Sequence, residues 1–166
     1  LGTNLQLIEN ELNKIKLYME GTGRTQVTEE DVYACLNIDR EFNVFELLRH
    51  VAQRDAEGAH RISHHLMLYA KDNPPIMMLS QLSKFFAQLA QVQQKRLNDP
   101  RAIAQELGLR DFQVREYPVA ARKYPHHKVV ENIGHLAEAD RVLKGIGGSR
   151  MDDTHHFKTL VYKLLR

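Results

Sequence analysis

The 166-residue chain contains no tryptophan and a single cysteine, Cys35. One thiol excludes an internal disulfide and a multi-thiolate metal site, and it fits a reducing compartment. No run approaches the roughly 18 consecutive apolar residues of a membrane span. No apolar stretch follows a basic start, as a secretory leader requires. The expectation is a soluble, cytoplasmic protein with no membrane partner. An excess of one charge is also missing: 23 Lys and Arg stand against 21 Asp and Glu, a net +2, which alone points to no polyanionic partner. There is no Gly-x-x-x-x-Gly-Lys-Ser/Thr loop to cradle a nucleoside triphosphate. No segment alternates with period two, so strands are not expected.

What is present is helical periodicity from end to end. Leu5, Ile8, Leu12, Ile15 and Met19 form one stripe, with Gly21 expected to end that helix. Thr28 stands three residues before Asp31, a box-like start for a short helix to about Leu36. Asn43 precedes a third stripe of Val44, Phe45, Leu47, Leu48 and Val51. Asp55 is placed to cap a helix whose inner face is Ala59, Ile62, Leu66 and Tyr69. Asn73-Pro74-Pro75 breaks the chain before the longest helix, expected from Pro75 to Leu97. Asp99-Pro100 opens a short helix closed by Gly108, Asp111 is placed to start another, and Pro118 should split it near Tyr117. Pro125 opens a helix with Val129, Ile133, Leu136 and Leu143 on one face, and Asp152 or Asp153 caps the last one. The expected fold class is all-α, a helical bundle with short connections.

Few residues invite chemistry. His60 and His64 share a helix face at i, i+4 and could ligate a metal, but no Glu completes a His-Glu-x-x-His pattern. Cys35 lies beside Leu36 and reads as a buried thiol. Gly145, Gly147 and Gly148 follow a helix rather than a strand, so they terminate it rather than hold phosphate. Asp140 continues the apolar series 129, 133, 136, which turns its carboxylate toward the core and calls for a partner from another helix. Ile103, Ala104, Leu107, Gly108, Leu109 and Val114 resemble the start of a helix-turn-helix, followed by a basic segment. A stand-alone DNA-binding domain of that type is the alternative reading. The candidate DNA-facing residues are Arg110, Arg115, Arg122, Lys123, Arg141 and Lys144. Residues 1–41 carry four Lys and Arg against eight acids and residues 42–166 nineteen against thirteen, a weak sign of a boundary.

Four stretches carry a family resemblance: Asn4–Tyr18 with its IENELNKI core, Val27–Val32 (VTEEDV), Glu41–Leu47 (EFNVFEL) and His135–Gly145 (HLAEADRVLKG). Their order and spacing resemble the C-terminal part of the delta subunit of bacterial DNA polymerase III, a clamp-loader component. The resemblance implies that residues 1–41 end an AAA+-like lid domain and residues 42–166 form a helical collar, the oligomerisation domain. The partners it implies are the delta-prime and gamma/tau subunits. The sliding clamp would be met only through an N-terminal domain outside this sequence, and primer-template DNA only indirectly. It implies no cofactor, no metal and no catalysis by this chain. The sequence opens at Leu1 directly in a helix pattern, so the later part of a longer protein is expected. Phe85, Phe86 and Leu89 are spread too widely around the longest helix to share one core, so the expectation is that some of them anchor a neighbouring subunit.

Overall fold

The computed structural model describes residues 5–23, 26–28, 43–71, 73–146 and 152–166. Expectations for Cys35, the short helix after Thr28, the Glu41 boundary and Gly147–Gly148 fall outside the described residues. Described elements are helical throughout, as the periodicity implies. The chain divides into two compact units, Leu1–Asn43 and Val44–Arg166.

In the first unit, α1 spans Leu5–Thr22. It runs past Gly21 because the stop is made by Gly23, which takes φ 67 and donates its N–H to Met19 O at 3.1 Å. Met19 is buried, while Leu12 and Leu17 are exposed.

Among the described residues, the second unit is a bundle of seven α-helices: α2 (Val44–Ala52), α3 (Ala56–Leu68), α4 (Pro75–Gln94), α5 (Pro100–Leu107), α6 (Tyr117–Lys123), α7 (His126–Leu143) and α8 (Asp153–Leu165), with a 3-10 turn at Asp111–Gln113. Sequence chemistry sets most of the ends. Asp55 Oδ1 accepts from Gly58 N at 3.1 Å and Asp99 Oδ2 from Ala102 N at 3.0 Å, each satisfying an amide of a first helical turn. Asp152 Oδ1 accepts from Thr154 N at 3.2 Å. Gly108 closes α5 at φ 62. Pro75 and Pro118 sit in first turns, where a missing N–H costs nothing.

The core is built around α4, which packs most extensively on α7 and also meets α2, α6 and α8. Met78, Leu79, Leu82, Phe85, Phe86, Leu89 and Val92 of α4 are all buried. Helix α4 stops at Gln94, short of Leu97, because Arg96 turns to φ 53 and Leu97 N bonds back to Val92 O at 3.0 Å. A buried Asn132 ties α7 to α8 by donating from Nδ2 to Leu164 O at 3.0 Å.

Candidate functional site

The three residues expected to include a subunit anchor lie inside the unit. Phe86 and Leu89 are fully buried and Phe85 is 5% exposed. Neighbours surround α4 on several sides, so its apolar residues from Met78 to Val92 are buried within the chain. Phe85 meets the Tyr117 ring at 5.1 Å and Phe86 meets Tyr124 edge-on at 5.5 Å. The phenols are buried as well. Tyr117 Oη donates to Gln88 Oε1 at 2.6 Å, and burial pushes its ionisation up to about 12. Burial also raises Tyr124, opposed by the nearby positive charge of Arg54. Both phenols act as neutral hydrogen-bond donors.

Apolar surface is left over elsewhere. Leu68, Tyr69, Ile76 and Met77 are exposed around the α3–α4 connection, with Leu68 and Met77 each at 65%. The sequence reading placed Tyr69 on the inner face of α3. It lies instead just past the helix end as the C-cap residue, so Ser63 and Met67 complete the buried face with Ala59, Ile62 and Leu66. Exposed Leu and Met at a helix junction are a compositional signal that periodicity alone does not flag.

The six candidate DNA-facing cations are held in different ways. Arg122 folds back to donate to Pro118 O at 3.1 Å on its own helix. Lys123 Nζ donates to Gln53 O at 2.7 Å in the α2–α3 turn. Arg141 pairs with Glu138 at 3.3 Å. Lys144 pairs with Asp140 at 2.6 Å. Lys123 precedes the start of α7 and Lys144 follows its end, which at 1.5 Å per residue puts about 27 Å of helix between them. Arg110 and Arg115 are exposed.

The helix-turn-helix expectation does not hold either. After Gly108 the chain makes only the Asp111–Gln113 3-10 turn. The following α6 has seven residues, and its Tyr117 and Ala120 are buried. No continuous recognition helix is left to enter a groove.

Asp140 departs from its expected place. It lies on the exposed side of α7, with its side chain 39% exposed, and Lys144 one turn later supplies the counter-charge. The partner expected from another helix is supplied instead by the same helix, at the i, i+4 spacing that joins side chains on one face. His60 lies against the Tyr162 ring at 5.9 Å, and His64 Nδ1 lies 2.8 Å from Lys158 Nζ. Among the described residues no group of three His, Cys, Asp or Glu is placed to hold a metal ion. No described helix is long and apolar enough to cross a membrane.

Sequence reasoning missed a heavily bonded corner of the unit. Arg54, in the turn between α2 and α3, takes φ 50. Its guanidinium donates to Leu165 O at 3.0 Å, to Arg166 O at 2.6 Å and to Lys123 O at 3.4 Å. It also lies 5.2 Å over the Tyr124 ring. Tyr124 Oη donates to Val51 O at 2.7 Å, and Gln93 Nε2 donates to Tyr124 O at 2.6 Å. The ends of α6 and α8 are thereby fastened to the α2–α3 turn. The three backbone oxygens that Arg54 reaches lie 69 to 112 residues away, so nothing local in the sequence marks them.

A family model described as the DNA polymerase III delta subunit, C-terminal domain, matches residues 41–164. Among solved structures, the chain is similar to the DNA clamp loader delta protein of Bacillus subtilis, with 22% sequence identity and a TM-score of 0.69. The similarity covers 97% of this chain and 46% of that one, so the chain spans less than half the length of that protein. At this identity the likeness shows the fold. Curated proteins give no match.

Proposed function

We propose, from the premise that the chain belongs to the DNA polymerase III delta subunit family and carries its C-terminal domain, that it is an assembly module of a clamp loader. In this reading Val44–Arg166 is the collar that joins delta-prime and gamma/tau neighbours in a ring. The preceding residues are the end of a lid-like domain. The module contributes binding energy to the ring and no chemistry, and its DNA contact comes through the assembled complex in the cytoplasm.

The observation that carries the reading is the family match over 41–164, which covers the whole bundle from α2 through most of α8. The exposed Leu68, Tyr69, Ile76 and Met77 support it, since protein interfaces centre on aliphatic and aromatic anchors. The expected partners supply the test. Mixed with delta-prime and gamma/tau at micromolar concentration, the chain should co-elute with them on size exclusion. Independent elution of all three would overturn the assignment. Leu68→Asp together with Met77→Asp should abolish co-elution if that corner is the contact, while the thermal melt of the chain stays unchanged.

A further inference from the structure

Two segments of the bundle carry cations and no acidic side chain. Residues 58–71 contain Arg61, Lys71 and three histidines, and residues 154–166 contain Lys158, Lys163, Arg166 and two histidines; neither holds an Asp or Glu. Packing brings them together, because α3 and α8 are in contact. His60 meets Tyr162, and His64, one turn later, meets Lys158, one turn earlier, so the helices run antiparallel. Arg166 lies 5.3 Å over the Tyr162 ring. The result is a continuous strip of Lys158, His64, His60, Tyr162 and Arg166. It is about 12 Å long along α8, eight residues at 1.5 Å each.

Its chemistry differs from that of three cations on α7 and just after it. Lys128, Arg141 and Lys144 each hold a carboxylate. Among the described residues, no carboxylate pairs with Lys158 or Arg166. Lys158 instead rests on an imidazole nitrogen, which leaves its positive charge uncompensated. Beside it Tyr162 is 46% exposed, with a guanidinium against its ring. Unpaired cations in a row attract phosphates, and an exposed phenol ring with an arginine plane offers a platform for a base.

We propose that this α3–α8 strip binds single-stranded nucleic acid, with phosphates on Lys158 and Arg166 and a base stacked on the Tyr162–Arg166 pair. An acidic protein segment would use the cations but not the ring platform, and the exposed ring decides for the nucleic acid. The site is independent of the assembly reading, since it needs no neighbouring subunit.

The test is fluorescence anisotropy of a labelled oligothymidylate titrated with the chain. Binding should weaken with salt, with a log–log slope of about −1.4 for two phosphate contacts to a single strand. Lys158→Gln and Tyr162→Ala should each weaken binding about tenfold, with thermal melts matching the parent chain. Lys144→Gln, on a cation already paired with Asp140, should leave affinity unchanged. Equal losses from Lys144→Gln and Lys158→Gln would show diffuse attraction and overturn the proposal. So would polyglutamate competing as well as the oligonucleotide while Tyr162→Ala has no effect, which would identify an acidic protein as the occupant.

Discussion

Two helices of the bundle stop in the same unusual way, and the two stops have different supports. Helix α2 ends with Arg54 at φ 50 and α4 ends with Arg96 at φ 53. Each is an L-residue in the left-handed conformation that glycine adopts without strain. Each turn also makes the same backward bond, Asp55 N to His50 O at 2.9 Å and Leu97 N to Val92 O at 3.0 Å. At Arg54 the guanidinium reaches three backbone oxygens and the Tyr124 ring. At Arg96 the residue is exposed, and no hydrogen bond or ion pair of its side chain occurs among the described residues. The first turn therefore has a tertiary reason to keep arginine, and the second has only a backbone cost.

The comparison breaks most visibly at Tyr124, on which the Arg54 turn rests. The residue is 1% exposed, stacks edge-on with Phe86 and bonds Val51 O. Tyr124→Ala should lower stability by about 3–5 kcal/mol, as large aromatic truncations in cores do. Urea unfolding with an unchanged slope would measure it. A loss below about 1 kcal/mol would mean that the corner does not hold the bundle together.

Gly58 comes next. A Cβ there would overlap His50 Nδ1 and Asp55 Oδ2, the pair that lies 2.6 Å apart and closes the start of α3. Gly58→Ala should cost about 1–3 kcal/mol through overpacking, despite the better helix propensity of alanine. A gain in melting temperature would show that the His50 ring swings away freely. The turn at Arg96 has no counterpart, since its following cap, Asp99, holds only a backbone amide.

Arg54→Gly follows, at about 1–2 kcal/mol lost. Relief of the left-handed backbone is offset by loss of charge-assisted bonds, discounted here because they are partly solvent-exposed. The same turn carries an acid dependence. The Gly58 amide and the His50 side chain hold the Asp55 carboxyl below the ordinary carboxylate range. A lowered value in the folded state means that its stabilisation is complete above the unfolded value and is lost as pH falls through the folded one. Asp55→Asn should flatten this part of the acid limb in a pH series of urea midpoints. An unchanged limb would count against the assignment.

How much of this was readable in the sequence depends on the range of each interaction. The all-helical class followed from periodicity, and Asp55, Asp99, Asp152, Gly108, Pro75 and Pro118 marked ends because a cap acts within four residues. The direction of a side chain on a multiply packed helix did not follow. Phe85, Phe86 and Leu89 looked too dispersed for one core, yet α4 meets α2, α6, α7 and α8. Asp140 looked inward by its spacing, yet it pairs outward with Lys144. The basic segment 110–123 looked free, yet Lys123 is committed to Gln53 across 70 residues. Whether a cation is available to a partner is a tertiary property, and charge counts along the chain do not contain it.

The smallest prediction is the most discriminating, because it reverses the sign of the one made at Arg54. Arg96→Gly removes a left-handed L-residue and no recorded side-chain contact among the described residues. The relieved strain is on the order of 1 kcal/mol, and the added freedom of glycine in the unfolded chain takes back roughly half of it. A net stabilisation of about 0.5 kcal/mol is expected, read as a higher urea midpoint at constant slope. The paired experiment compares the same substitution at two turns of the same backbone form. Opposite signs would show that side-chain tethers, rather than helix-stop geometry, explain the arginine at position 54. Destabilisation at both sites would show that the arginine side chain stabilises the second turn as well.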